Sequence, residues 1–546
     1  MLSKPFKTLE ETMKYLFSKE IEALPDLVDE LTDEEDVDDN VLSVATVIDV
    51  AGMLEVNIKK EFDNKDDNPL SEFVLNPSNL QSAKKRKTEQ SVPDHILKFT
   101  GQLPHAGVAG EDLLDVMAAH LLCIASNSGL PVFTRKKGNT ESLPFSVMGS
   151  LNGVHMFGKS QKLKLLNSLM DDYCTVWKEF HDSIILIGIS SGCTIQIMTN
   201  LLESAFSAMV LIVGIEKIKA QRNNERLKRD LRLCYPLIDR LMDSLDFGGP
   251  TNKYSSDLMN MSESILCNEN HMLQSALEAY TECIDSEYSC ILIQGKIAVA
   301  TESWWSMHPD EIKLLTLLAS VDNTTSSKDV PVFLPHRSPN VAYRFVACML
   351  IPHVQVCCLC GSTPPIKDIE FSASQCFKST LEVFELALQC HPRNIPSSLQ
   401  LEAGVLGILL VNIKHGKYVI SRNPNTSSNK STSNVSHRSE ILRTFFYQAV
   451  LNMIPNEKER SKVLSLSKTN LNVQDKTKKA SKPSKKDIVT ISKETYWCSE
   501  YHKCHALIND NNILCVLFTS TIPTHTMRLI TTESLRILTA DKQFCW

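Results

Sequence analysis

Four groups of residues in this 546-residue chain have types and spacings that chemistry could use. The segment GVHMFGKS (153–160) fits G-x-x-x-x-G-K-[ST] letter for letter. In a phosphate loop the backbone amides wrap the β-phosphate, the lysine (Lys159 here) reaches the outer phosphates, and the hydroxyl (Ser160) holds magnesium. Cys357 and Cys360 form a C-x-x-C, and Cys498, His502, Cys504 and His505 cluster in WCSEYHKCHA. Four such groups converging as a tetrahedron would bind zinc. Arg222, Arg226 and Arg229 recur at helical spacing with Lys219 and Lys228 nearby. Such a stripe suits anionic headgroups or an acidic partner patch. Trp304 and Trp305 are adjacent. In such a pair one ring caps a core while the other reaches the surface, where it can serve an interface.

The elements that must position these residues decide among the readings. A phosphate loop belongs in a parallel βαβ unit, with a buried strand entering and a helix leaving. Upstream of Gly153, LPFSVMGSLNG carries Pro144, Gly149 and Asn152, a poor central strand. Pro144 suits a first helical position, and Phe145, Met148 and Leu151 follow at helical spacing. Gly149 and Gly153, four apart, would let that helix approach a sheet closely, or Asn152-Gly153 would end it. Downstream, SIILIGISS (183–191) ends in serines, with no Asp placed to hold magnesium. The phosphate-loop match therefore reads as accidental, and a nucleotide-hydrolysing enzyme is the alternative it leaves. The CCLCG thiols lie in an apolar run, where a free thiol packs as a small hydrophobe. There is no G-x-S-x-G, and His181-Asp182 has no nucleophile beside it. No catalytic, cofactor-binding or metal-binding residue is assigned.

Around these residues an order of elements recurs three times. AAHLLCIASNSGLPVFTR (118–135) reads as a hairpin turning at Ser128-Gly129. The helix from Pro144 follows, then strands near LKLLNSLM, CTVWKEFH and SIILIGISS, a helix at 194–213 and a longer charged one from Ile215 to Met242. On the charged helix Leu227, Leu231, Cys234, Ile238 and Leu241 form an apolar stripe opposite the arginines. A second block resembles the first, through 288–301, 308–321, strands across 330–360 and a helix at 374–390. A third has a hairpin at 401–421, a helix at 439–454 and strands near 495–525, with polar loops near 422–439 and 457–487. The fold class is α/β in the α+β sense: three antiparallel sheets with helices on their faces, over 117–245, 255–392 and 398–546.

Residues 1–110 read differently. Nine carboxylates lie between Asp26 and Asp39, and residues 1–100 carry 22 acids against 12 bases. Self-repulsion and sparse apolar content predict a disordered acidic leader. The whole chain carries −7, so the remainder sums to about +3 and gives little support to nucleic-acid binding. The 17 cysteines follow no repeating frame, and no secretory signal stands at the start, which points to reduced thiols in the cytosol. The run FVACMLIPHVQVCCLCG (345–361) is broken by Pro352, His353 and Gln355 and reads as paired strands, not a membrane span. The acidic stretch followed by DVAGMLEV (49–56) looks like the leader of piggyBac-type transposases, and Lys84–Lys87 could be a nuclear address.

LPFSVMGSLNGVHMFG (143–158), VWKEFHDSI (176–184), AMVLIVGIEKI (208–218), NNERLKRDLRLCYPLID (223–239), ATESWW (300–305), PVFLPHRSP (331–339) and VQVCCLCGSTPP (354–365) closely resemble the Fuzzy family of planar cell polarity effectors. That family is similar to the tri-longin exchange-factor subunits. The resemblance implies three longin-like domains in tandem and no covalent chemistry. It implies pairing with Inturned as a guanine-nucleotide exchange factor for a Rab GTPase in ciliogenesis, joined by a β-propeller partner in the CPLANE complex. It further implies a cytoplasmic and cytoskeletal location at the cilium basal body, with peripheral membrane contact. Arg222, Arg226, Arg229, Trp304 and Trp305 are the expected partner or lipid contacts. A scaffold without exchange activity is the other reading.

Overall fold

The structure, a computed structural model, describes residues 55–60, 118–245, 258 and 260–546, apart from 139–140, 170–172, 192, 221–223, 322–325, 397–398, 400, 403, 423–432, 447–449, 451–493 and 541–545. The chain divides into two units, Met1–Leu245 and Asp246–Trp546.

The first unit is built on six strands: β1 (Glu55–Lys60), β2 (Ala119–Ala125), β3 (Pro131–Lys137), β4 (Leu163–Leu169), β5 (Tyr173–Phe180) and β6 (Ile184–Ser191). They lie in the order β1-β4-β5-β6-β2-β3 with every pairing antiparallel. β6 and its neighbour β2, both interior strands, are buried on both faces, as their continuous apolar runs require. Helix Phe145–Ser160 packs Val154 against Leu122, Ile124, Trp177 and Ile187. Helix Ile195–Val213 covers β5 and β6; Thr194 caps it by accepting from the Ile197 amide, and Gly214 ends it. By length and composition this helix could cross a membrane, but two thirds of it is buried inside the unit as a core helix.

The expected helix from Ile215 to Met242 is instead three: Ile215–Ala220, Asn224–Arg232 and Tyr235–Asp243. Pro236, which lacks an amide hydrogen, stands in the first turn of the last one and cannot continue a preceding helix. The apolar stripe survives the break, since Leu227, Leu231, Cys234, Ile238 and Leu241 are all buried. Most of the acidic leader lies outside the described residues. Residues 55–60 do not fit the disorder expected of them: their backbone pairs with β4 from Glu55↔Leu169 to Lys60↔Leu163. EVNIKK alternates polar with β-branched apolar residues, a strand pattern that the acidic run lacks.

The second unit holds two sheets. One runs β10 (Ser327–Leu334), β11 (Ser338–Ile351), β12 (Val354–Cys360), β8 (Tyr288–Ile293), β9 (Lys296–Ala300). The other runs β15 (Glu494–Cys498), β16 (His502–Asn509), β17 (Asn512–Thr519), β13 (Val405–Asn412), β14 (Lys417–Arg422), β7 (Ser262–Glu263). All three sheets share one plan: a hairpin, a helix, then a three-strand meander whose last strand pairs with the first strand of the hairpin. The helix in that second position is Phe145–Ser160, Pro309–Ser320 and Ser433–Phe445 in turn. The run 345–361 forms the β11–β12 hairpin, turning at Pro352-His353 with His353 at positive φ.

Some boundaries differ from the sequence reading. The expected 374–390 helix is Ile366–Cys376, a 3-10 turn and Leu381–Leu388. Helix Ser433–Phe445 extends into the stretch expected to be a loop to 439, because Leu442, Phe445 and Phe446 are buried in the third core and hold it. Helices Asn270–Ile284 and Thr524–Ala540 have no counterpart in the sequence reading. The first packs Leu273, Leu277, Tyr280 and Ile284 onto the second sheet; the other packs Met527, Leu535 and Leu538 onto the third. Burying each such side chain contributes about 1.5–3 kcal/mol before ordering costs.

Candidate functional site

The phosphate-loop match is the C-terminal half of helix Phe145–Ser160. Its amides are committed to the helix, and the last turn presents carbonyls, the negative end of the helix dipole. Phosphate binding needs the opposite end. Lys159 donates to Glu179 Oε1 at 2.7 Å, and Ser160 Oγ donates to the Phe157 carbonyl at 2.7 Å. The resemblance to a phosphate loop is thus one of letters only. Gly149 is exposed with open space where a Cβ would stand, so it allows no close approach to the sheet, and Asn152-Gly153 lies mid-helix and ends nothing.

Glu179 instead collects a small polar cluster on β5. Ser126 Oγ donates to it at 2.8 Å, Lys159 at 2.7 Å, and His155 Nε2 lies 3.9 Å from its second oxygen. Burial pushes the Glu179 carboxyl up, but the hydrogen bonds from Lys159 and Ser126 outweigh it and hold it below its ordinary value. Burial pushes the His155 imidazole below its ordinary value, partly offset by Glu179. The cluster ties the helix end to the sheet.

The tryptophan pair sits where the second and third sheets meet. Thr301 caps the short helix Glu302–Trp305 by accepting from the Trp304 amide. Trp304 is 0% exposed and belongs to the core of the unit. Trp305 is half-buried, and its carbonyl faces His415 Nδ1 at 3.2 Å. The Lys417 ammonium stands 4.4 Å from the Trp305 ring centre and 4.6 Å from that of Trp546, with Lys417 only 4% exposed. A desolvated cation against two indoles gains about 2 kcal/mol or more. Gly416, at φ +57°, carries the chain past Pro309, where a Cβ would lie 2.3 Å from the proline's. Lys296 pairs with Glu263 at 3.0 Å, and Asn394 Nδ2 donates to Glu263 and to the Ile420 carbonyl. The segment 262–264 pairs with β14 through β7 and bridges Ser264 to Ile297, so it stitches both sheets together. Trp305 therefore serves an interface within its own chain.

The outward faces lie elsewhere. Helix Asn224–Arg232 exposes Arg226 and Arg229, with Arg232 beside them, while Arg222 lies outside the described residues. Leu233, at the turn that follows, is 71% exposed. On helix Phe145–Ser160, Phe145 is 51% and Met156 44% exposed, with Val147 near them in exposure. Sequence reasoning missed Leu233, Lys417 and Glu179. The first lies off the apolar stripe and could have been noticed, whereas the other two are given meaning only by residues 20 or more positions away.

For the thiols, Cys358 and Cys360 share one face of β12 with their sulfurs 3.6 Å apart, and Cys357, one position off, faces the other side. A C-x-x-C on a strand therefore cannot clasp one ion. Among the described residues no three His, Cys, Asp or Glu side chains are placed to hold a metal.

Comparison with known proteins bears on the three repeated sheets. Residues 119–241 match the first longin domain of FUZ, MON1 and HPS1, residues 285–378 the second and residues 404–542 the third. The protein fuzzy homolog of Xenopus tropicalis is 33% identical over 431 residues, covering 78% of this chain and 98% of that protein. The chain belongs to the Fuzzy homolog family. The Homo sapiens homolog is 34% identical over 345 residues, covering 62% of this chain and 80% of that protein, and the Mus musculus homolog is 34% identical with 81% of it covered. The family domains begin at residue 119, so β1 is an addition to the first of them.

Proposed function

We propose that this member of the Fuzzy family is one subunit of a two-chain guanine-nucleotide exchange factor for a Rab GTPase, formed with Inturned and serving planar cell polarity and ciliogenesis at the basal body. A β-propeller protein is the third subunit of the assembly. The observation that carries the reading is the threefold repetition of one sheet plan, matched in order to the three longin domains of the family. Exchange asks for no bond-making residue. It asks for a surface that binds the nucleotide-free GTPase better than the nucleotide-bound one, so that nucleotide loosens by linkage.

The first longin domain supports this best, because its apolar side chains Phe145 and Met156 point outward on a rigid helix. We assign that face to Inturned. Arg226 and Arg229 are assigned to a peripheral contact with an anionic partner surface. The test is co-purification of the full chain with Inturned. Met156→Glu abolishes the complex while leaving the melting temperature unchanged on this reading; a complex retained at full affinity contradicts the assigned face.

A further inference from the structure

The arginine helix carries a face whose composition specifies an occupant. Arg226 and Arg229 stand at i and i+3 on one face of the helix, with Arg232 at its end and Leu233 in the turn that follows. All four are exposed, and Leu233 is 71% so. A leucine that bare in a row of guanidinium groups asks for a partner that is acidic and apolar at once. Between Ile215 and Arg232 the sequence carries seven bases against three acids.

The same chain holds such a segment. Residues 26–39 carry nine carboxylates and no base, and Leu27, Val28 and Leu31 are interspersed among them. Reach is favourable as well. β1 fixes residue 55 on β4, at one edge of the first sheet, while helices Asn224–Arg232 and Tyr235–Asp243 pack on β3 at the other edge. Five strand spacings separate the edges, about 24 Å. Fifteen residues of polypeptide reach at most about 50 Å, so 40–54 are long enough in sequence to cross that distance.

We propose that the acidic segment 26–39 docks in cis on the Arg226–Arg229–Arg232–Leu233 face, with β1 as its anchor, so that an anionic surface reaches these arginines only by displacing it. The proposal rests on the geometry of the first unit and is independent of exchange activity.

Zero-length carbodiimide cross-linking of the full chain, mapped by mass spectrometry, tests it. Carboxylates of 26–39 are expected to join Lys228, on the same helix, in preference to lysines on other elements. The yield falls at least about fivefold in 0.5 M salt, where screening shortens to a few ångströms. It falls as far in the exposed-face variant Arg229→Glu/Arg232→Glu/Leu233→Ser. Cross-links spread evenly over the lysines of the chain, with Lys159 and Lys367 as reactive as Lys228, or untouched by the charge reversal, overturn it. A second arm uses vesicles containing phosphatidylserine. The chain with the nine carboxylates changed to amides is expected to bind them several-fold better than the unaltered chain, and equal binding overturns the proposal.

Discussion

The first longin domain and the joined second and third domains share a sheet plan but use their distinctive residues in opposite ways. In the joined pair the unusual residues face inward: Trp304 is fully buried, Lys417 lies between two indole rings, and Gly416 passes against Pro309. In the first domain Phe145, Met156, Arg229 and Leu233 face out. Tryptophan and glycine motifs here mark internal construction, and the candidate binding surface joins the arginines read from helical spacing to Phe145, Met156 and Leu233, which were not read as contacts.

The comparison breaks most readily at Trp304. Trp304→Ala is expected to destabilise the second unit by about 3–5 kcal/mol, read from denaturant midpoints, because a full indole leaves a closed core. A loss under about 1 kcal/mol would mean that the ring is not part of the core. Next comes Gly416→Val, which adds a branched side chain at φ +57° against Pro309. A cost of about 1–3 kcal/mol is expected, together with separate unfolding of the second and third domains in calorimetry. A single unchanged transition would contradict the junction described above.

Acidification is a smaller and more diagnostic test of the first domain. His155 has a folded pKa below its unfolded value of about 6.5, so the unfolded chain takes up a proton first as pH falls. Its contribution is complete above about pH 6.5 and is lost as pH drops toward the folded value. Glu179, also held low, adds a second loss in the carboxylate range as pH falls through its folded value. Stability of the first domain should therefore decline by up to about 1.4 kcal/mol per pH unit per group, and His155→Phe should flatten the upper part of the profile. Smallest of all is Lys159→Ala. The Lys159 side chain is 43% exposed, so its pair with Glu179 contributes about 0–1 kcal/mol and its loss leaves any nucleotide response unchanged. A large drop in nucleotide binding would restore the phosphate-loop reading.

Much of this was legible in the sequence, for physical reasons that differ by element. The hairpin 118–135 announces itself by apolar runs around a tight turn, and the antiparallel sheet class followed from the order of elements, though not the order of strands within each sheet. Helix Asn270–Ile284 was missed although its apolar residues recur at helical spacing, because Glu269, at its N-cap position, is not a usual capping type and makes no capping bond. The single helix expected over 215–242 ignored Pro236, whose local effect outweighs a continuous stripe. The junction was illegible: Trp305, His415, Lys417 and Trp546 lie up to 241 positions apart, and only the folded chain brings their charges and rings together. The strand at 55–60 was hidden by the acidic composition around it.

The central claim is that this chain works as half of an exchange factor through surfaces of the first domain. The most direct measurement is the release rate of fluorescent GDP from the Rab GTPase with this chain alone, with Inturned alone, and with both. The account predicts acceleration by the pair and by neither chain singly, lost with Met156→Glu. A stable pair that leaves the release rate at its spontaneous value would contradict it and make the chain a scaffold.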